Sequence, residues 1–276
     1  MLKKLSKSSI PRGMPLLLRN GLTRMGQFVF ERFIHFGRFV LFFARTMKGM
    51  LQLRQSYQIF LEQLDSVGSR SSFIIMLAGA STGLIFGVHF SDLFKSYSAE
   101  GLLGAAATLT LSKEIAPVLG AFIVVGRTGS AMAADMAQMR INQELDALNL
   151  MGVNPISYFV APRVLATTIM LPLLVVWFIG VSLVCTYVMG VLFFQVDAGV
   201  FFDKIPWLAK PDDLISGLIK SSIFGFILSI VGCYKGFNAK RSTKGVGQAT
   251  ASAVTTSLSV ILITDYTISW LQTLMF

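Results

Sequence analysis

The sequence predicts an all-α polytopic membrane protein, with an N-terminal interfacial amphipathic helix, five transmembrane helices and one short cytoplasmic helix. Three observations lead to this fold class. The 276 residues are 54% apolar and only 14% charged, whereas about a quarter of the residues in a soluble domain are charged. Apolar segments long enough to cross a bilayer recur along the chain. The excess of positive charge is confined to the first 54 residues.

The N-terminal 54 residues contain eleven Lys or Arg and one acid, Glu31, whereas the rest of the chain contains thirteen bases and thirteen acids. We therefore expect residues 1–21 to form a basic cytoplasmic N-terminus near anionic lipid headgroups. Over residues 22–54, apolar residues recur every three or four positions, which predicts an amphipathic helix in the membrane interface. A helix packed on soluble protein is the weaker alternative. Phenylalanines interspersed among the bases argue against a nucleic-acid-binding tail.

Five segments match the ~20 apolar residues that the hydrocarbon core of a bilayer requires. They cover residues 72–91, 101–126, 162–194, 213–236 and 248–274. The loops at 92–100 and 195–212 are slightly acidic, while the loop at 237–247 has three bases and no acid. Because cytoplasmic loops are enriched in Lys and Arg, this pattern places the N-terminus inside and the C-terminus outside. Loop 127–161 then also lies inside, although it contains three acids.

A short polar island, RINQELDALNLMGVNP, lies between the second and third spans. We expect Asn142 to cap a helix of about ten residues, ended by Gly152 and Pro155. Ten residues rise only ~15 Å, so this helix cannot cross a membrane. It fits a groove on a soluble partner, and a lid over the end of the helix bundle is the alternative. Its apolar ridge and the acids beside it are Ile141, Leu145 and Leu148, and Glu144 and Asp146.

Four ionisable side chains lie inside apolar segments: Lys113, Glu114, Lys220 and Asp265. A lone charge in a bilayer is costly, so each should face the bundle interior, water or a partner. Pro117 removes the backbone hydrogen bond to the Lys113 carbonyl and should loosen the helix beside Glu114. Two interpretations of Glu114, Lys220 and Asp265 stay open: structural ion pairing, and a charged network that rearranges when an internal cavity opens.

Three glycines of the first span, Gly79, Gly83 and Gly87, are spaced four residues apart. Such a stripe lets a second backbone approach closely. Packing within one subunit and a face between two subunits explain the stripe equally well.

The residue types present argue against several kinds of site. Cys185 and Cys233 lie in apolar runs and predict no disulfide framework. His35 and His89 stand without clustered Cys or Asp, which predicts no metal site. The phosphate-binding pattern GxxxxGK[ST] is absent. We therefore expect no covalent catalysis, metal or cofactor in this chain itself.

Four stretches, in order and with compatible spacing, resemble the MlaE/YrbE permease family. They are KEIAPVLGAFIVVGRTGSAMAADMAQMR, LDALNLMGVNPISYFVAPRVLA, GVGQATASAV and TDYTISWLQTLMF. Members of this family are membrane subunits of ABC transporters that move phospholipids or other lipids and are linked to MCE-domain proteins. The resemblance covers residues ~70–276 and is weak over the first 50 residues.

The resemblance implies an MlaE-like permease domain over residues 55–276, a homodimer in the bacterial inner membrane, and ATP bound by a separate cytoplasmic ATPase. The short cytoplasmic helix would then be a coupling helix. A periplasmic MCE-domain protein, a small STAS-type subunit and a lipid substrate are also implied. Asp135 and Ala137 depart from the usual Glu and Gly of the family, and the Gln143–Glu144 order is reversed. The ATPase-coupling residues implied by the resemblance are Gln143, Glu144, Leu145, Asp146 and Leu148.

Two functions of other classes are the alternatives. A proton-coupled secondary transporter would use Glu114 and Asp265 as proton carriers, but no internal repeat supports it. A membrane scaffold would leave the charges inside the spans unexplained.

Overall fold

The computed structural model describes residue 34 and residues 37–50 and 57–275. The basic N-terminus at 1–21 and most of the interfacial helix predicted at 22–54 lie outside the described residues. The chain forms two compact units, residues 1–44 and 45–276. In the first unit residues 37–44 are helical, and in the second residues 45–50 are helical. The elements below all belong to the second unit.

Every regular element in residues 57–275 is a helix, and five of these helices are long and apolar enough to cross a membrane. The all-α fold and the five spans predicted from the sequence are therefore confirmed. The five long helices are α1 (Tyr57–Ser96), α2 (Glu100–Ile141), α4 (Ile156–Phe193), α7 (Pro211–Phe237) and α8 (Thr243–Met275). The three short ones are α3 (Glu144–Leu150), α5 (Ala198–Asp203) and α6 (Ile205–Leu208).

Several of the helices are longer than the spans predicted for them. Helix α1 has 40 residues and begins at Tyr57. The span predicted from the sequence begins only at residue 72. At 1.5 Å per residue the helix is ~60 Å long, about twice the thickness of the hydrocarbon core. Its first turns contain Glu62, Asp65 and Arg70, so the polar part of the helix extends beyond the apolar span.

The short helices define two ends of the bundle. Helix α3 connects α2 to α4 at one end, which we call the α3 end. Helices α5 and α6 connect α4 to α7 at the other end, which we call the α5 end. The connection between α7 and α8, residues 238–242, returns to the α3 end, since each long helix runs antiparallel to the next.

These two ends make the predicted orientation testable. A cysteine at Ser242, at the α3 end, should react with an impermeant maleimide only from the cytoplasmic side. A cysteine at Asp203, in α5, should react only from the outside. The basic loop at 237–247 and the slightly acidic loop at 195–212 are the physical reason. Labelling of both cysteines from one side would contradict the five-span topology.

The glycine stripe of α1 packs against α4 of the same chain. A Cβ on Gly79 would lie 2.8 Å from the Phe178 carbonyl oxygen, and one on Gly83 would lie 2.1 Å from the Ser182 carbonyl oxygen. The Ser182 hydroxyl donates to the Gly79 carbonyl at 2.7 Å, and the Thr186 hydroxyl donates to the Gly83 carbonyl at 3.0 Å. The stripe therefore serves packing within one subunit, one of the two interpretations left open by the sequence.

Helix α7 is the central helix of the bundle and packs against α2, α4 and α8. Glycines of α7 again let the backbones of neighbouring helices approach closely. A Cβ on Gly217 would lie 2.0 Å from the Ser112 carbonyl oxygen of α2, and one on Gly225 would lie 2.7 Å from the Thr167 carbonyl oxygen of α4. This central position is what buries the side chain of Lys220 completely.

Helix α2 is interrupted by two π-helical segments, Leu111–Ile115 and Val125–Gly129. The first contains Lys113 and Glu114 and ends two residues before Pro117, the proline expected to loosen the helix there. Such π segments occur often at functional sites because they redirect side chains and free backbone carbonyls. Here the freed Lys113 carbonyl accepts from the Lys220 ammonium at 3.4 Å.

Candidate functional site: a buried charge network and an exposed helix

The structure brings together Glu114, Lys220 and Asp265, the three charges singled out in the sequence. The Lys220 Nζ lies 2.8 Å from Glu114 Oε2 and 3.4 Å from Asp265 Oδ1. Its side chain is completely buried, while those of Glu114 and Asp265 are 38% and 20% exposed. The ammonium is thus desolvated, and its charge is balanced by two carboxylates from two other helices.

Neighbouring polar groups complete the coordination of the ammonium. Lys220 Nζ donates to the Ser269 hydroxyl at 2.8 Å, and that hydroxyl lies 3.2 Å from Glu114 Oε1. Ser269 follows Asp265 by four residues on α8, so both side chains lie on the same face of that helix. Sequence reasoning missed Ser269, although its spacing from Asp265 was a usable signal. The network joins α2, α7 and α8 at one point, and its mechanistic role stays a prediction.

Lys113, the fourth charge found in an apolar run, has a different partner. Its Nζ lies 3.4 Å from Asp213 Oδ1, in the first turn of α7, with the two side chains 37% and 20% exposed. Asp213 also accepts from the Lys210 backbone amide at 3.1 Å and so caps α7. The sequence did not indicate this pair because Asp213 lies 100 positions away. The Lys113 side chain accordingly lies outside the Lys220 network, to which Lys113 contributes only its backbone carbonyl.

The ends of α3 differ in part from the prediction. Asn142, expected to be the N-cap, follows the last residue of α2, and Gln143 is the N-cap with a left-handed backbone (φ 61°). Asn142 instead donates its side-chain amide to Glu144 Oε1 at 2.9 Å. The prediction for Asn142 is wrong because α2 continues to Ile141 and leaves only two residues for a tight turn.

The C-terminal stop of α3 is the predicted one. Gly152 has a positive φ of 77°, which glycine adopts without strain. Its amide donates to the Asn149 carbonyl, and the Val153 amide donates to the Leu148 carbonyl, at 3.1 and 3.0 Å. This is the Schellman arrangement, which satisfies the last carbonyls of a helix.

The apolar residues that α3 exposes are not those predicted. Leu145 is only 4% exposed and packs within its own chain, and Leu148 is half-buried. Leu150 and Met151 are 90% and 69% exposed. Leu145 and Leu148 therefore hold α3 against the helix bundle and do not form a free surface. Helical periodicity predicted the face correctly but could not show that the chain itself covers it.

Two basic side chains hold the α3 end together. Arg241, in the α7–α8 connection, forms an ion pair with Asp146 of α3, and both side chains are about half exposed. Arg140, at the end of α2, donates to the Phe237 carbonyl at the end of α7. Asp146 is therefore already engaged by the chain itself, whereas Gln143 and Glu144 are exposed. These contacts couple α3 to the start of α8, the helix that carries Asp265.

Comparison with known proteins settles the family. The sequence model described as Permease MlaE matches residues 60–271. The chain belongs to the MlaE permease family. This confirms the resemblance drawn from its four motifs, and α3 lies at the position between the second and third spans where that resemblance implied a coupling helix.

Curated relatives agree with this assignment over most of the chain. A probable ABC transporter permease protein of Synechocystis sp. is 34% identical over 230 residues, which cover 83% of this chain and 86% of that protein. One from Rickettsia prowazekii is 34% identical over 233 residues, covering 84% and 90%. The intermembrane phospholipid transport system permease protein MlaE of Haemophilus influenzae is 29% identical over 256 residues, covering 91% and 96%.

Family membership and the five spans make the protein a multi-pass membrane permease of the ABC type. Membership in an ABC permease family argues against the proton-coupled secondary transporter considered above. In the part of the chain that the structure describes, no group of three or more His, Cys, Asp or Glu could hold a metal ion.

Proposed function

We propose that the protein is the permease subunit of an ABC transporter that moves phospholipid or a related lipid between the inner membrane and a periplasmic MCE-domain partner. A separate cytoplasmic ATPase binds and hydrolyses ATP. The phospholipid transport named for the Haemophilus influenzae relative supports the substrate class. The absence of a GxxxxGK[ST] pattern supports an ATPase on another polypeptide.

The observation that carries the proposal is the exposed apolar pair at the C-terminal end of α3, Leu150 and the C-cap residue Met151. The pair ends a short helix held by an ion pair and a Schellman turn, so it is presented in a fixed position. Exposed apolar residues next to polar ones mark interaction sites when they form a patch. In our proposal Leu150 and Met151 enter a groove on the ATPase, and Glu144 lies at the rim of that interface.

Substitution of this pair should separate the ATPase from the permease. We expect Leu150→Asp and Met151→Asp each to reduce the ATPase recovered by the tagged full-length permease about tenfold or more, because buried apolar anchors contribute ~2 kcal/mol or more. Glu144→Gln should have a milder effect that is visible mainly at low salt, since rim charges chiefly affect association rates. The measurement is a pull-down from membranes that co-express both subunits.

Asn149→Asp is the matched control, because it adds the same charge on α3 at an exposed position without removing an apolar side chain. It should retain the ATPase. Each variant should also elute from a sizing column as wild type does, which separates loss of the partner from loss of the fold. Wild-type recovery with both Leu150→Asp and Met151→Asp would contradict the coupling role of α3.

The proposed assembly is a homodimer with one ATPase on each permease, and a small STAS-type subunit is a further proposed partner. Apolar side chains exposed on α4 and α8, including Trp177, Val184, Ile263 and Trp270, suit either lipid or a second subunit. Mass spectrometry of the complex in detergent would give both the copy number and the retained lipids. A monomer free of lipid would contradict this part of the proposal.

A further inference from the structure

A second polar site lies between α1 and α2, away from the Lys220 network. It is a cavity of about 90 Å³ that is partly open to the surroundings and has room for several water molecules. Such a volume has room for a small polar group such as a phosphate. The polar residues that line the cavity are Gln63, Ser66 and Arg70 from α1, and Arg127, Thr128 and Asp135 from α2.

The arginines of this region lie at the same depth along the long axis of the helix bundle. No charged residue occurs between Arg70 and His89 on α1, between Glu114 and Arg127 on α2, or between Arg163 and the α5 end of α4. The uncharged stretch 71–88 alone rises ~27 Å, close to the thickness of the hydrocarbon core. Arg70, Arg127 and Arg163 therefore lie where that core ends on the α3 side, at the depth of the lipid headgroups.

The single acid of the cavity wall is already compensated. Asp135 Oδ2 lies 3.6 Å from Nη2 of Arg163, whose side chain is only 5% exposed. The Nε and Nη1 atoms of Arg163 have no hydrogen-bond partner among the described residues, so Asp135 is the group that balances this buried charge. The charges of Asp135, whose side chain is 58% exposed, and Arg163 cancel, so Arg70 and Arg127 give the cavity a net positive charge.

Arg70 and Arg127 supply that positive charge. Within the described residues, neither arginine takes part in an ion pair. Arg127 Nη1 donates to the Ser71 hydroxyl at 2.7 Å, which fixes the guanidinium beside the cavity. Guanidinium groups bind phosphate oxygens in a planar, two-pronged geometry, and Ser66, Thr128 and Gln63 offer further donors.

We propose that this cavity binds the phosphate group of an anionic membrane phospholipid from the leaflet at the α3 end, held by Arg70 and Arg127. This inference rests on the location of the chain in a membrane and does not require the proposed transport or ATPase docking. The acyl chains then extend along the apolar outer surface of the bundle, since the polar lining of the cavity suits a headgroup and not an acyl chain.

The test is binding of dihexanoyl-phosphatidylglycerol to the full-length protein in detergent, followed by thermal unfolding and by native mass spectrometry. A ligand that binds only the folded state raises the melting temperature in proportion to its saturation. We expect Arg70→Gln and Arg127→Gln each to weaken the apparent affinity about tenfold, as expected when one charge-assisted contact is lost. Lys240→Gln is the matched control, because it removes one exposed positive charge at the α3 end outside the cavity.

Three other probes identify the source of the phosphate. Dihexanoyl-phosphatidylcholine should bind more weakly, because its choline cation meets a positive wall, and dihexanoylglycerol should not bind. Saturation by inorganic phosphate at the same concentrations would overturn the assignment to a lipid. Binding of phosphatidylglycerol to both arginine variants with wild-type affinity would overturn the site itself. If either glutamine variant fails to fold, Arg70→Lys and Arg127→Lys replace it, because lysine keeps the positive charge but lacks the guanidinium group. Wild-type affinity in both lysine variants would contradict a guanidinium site.

Discussion

Replacing Lys220 by methionine should lower the free energy of unfolding by about 3–5 kcal/mol, the cost of removing one partner from a buried ion pair. The side chain is completely buried and contacts two carboxylates and the Ser269 hydroxyl. Without the ammonium, Glu114 and Asp265 repel each other in a medium of low dielectric constant. The measurement is chemical unfolding in mixed micelles, followed by tryptophan fluorescence.

A triple variant, compared with its three single variants, distinguishes a network from independent charges. Combining Lys220→Met with Glu114→Gln and Asp265→Asn should cost less than the sum of the three single changes, because no charge is then left without its counterion. Lys113→Met is the matched control, since its pair with Asp213 is partly exposed and contributes only about 0–1 kcal/mol. Strict additivity of the three changes would contradict the network.

The second large effect is expected at Gly83. A Cβ there would lie 2.1 Å from the carbonyl oxygen and 2.8 Å from the carbonyl carbon of Ser182. Both obstacles are backbone atoms, so no rotamer change relieves the contact, and α1 must move away from α4. Overpacking costs about 1–3 kcal/mol and occasionally more. We expect Gly83→Ala to reach the upper end of this range.

Unfolding of Gly83→Ala is compared with that of Gly247→Ala, a helical glycine whose added Cβ meets no atom within 4 Å. The control should be neutral or slightly stabilising, because alanine favours a helix by up to about 1 kcal/mol over glycine. A cysteine pair across α1 and α4 that cross-links as readily in Gly83→Ala as in wild type would contradict the expected separation of the two helices.

Much of the candidate site was accessible from the sequence because burying charge is costly. Glu114, Lys220 and Asp265 stood out as charges in apolar segments, and the cost of leaving them alone predicted that they would meet. The same reasoning predicted that Lys113 would find a partner, but it could not show that this partner is Asp213, in the first turn of α7. A sequence identifies which charges need a partner, whereas only the packing of helices decides which partner each one finds.

The face of α3 illustrates a second limit. Its apolar period correctly grouped Leu145 with Leu148, and the docking surface was assigned to them. In the structure the bundle covers Leu145, and the exposed apolar residues are Leu150 and Met151, directly before the helix-ending Gly152. Their position before the stop was a signal in the sequence, but periodicity cannot tell a surface that packs on the same chain from one left for a partner.

The five spans, the helix stop at Gly152 and the membrane class of the protein were all predictable from the amino-acid sequence alone. These follow from the thickness of the hydrocarbon core and from local backbone preferences, which act on contiguous residues. Three further features became visible only in the folded chain: the packing of α4 on the glycine stripe of α1, the contact of Ser269 with Lys220, and the cavity that Arg70 and Arg127 line. Each of these depends on contacts between residues far apart in the chain, whose pairing is set by which helix faces fit together.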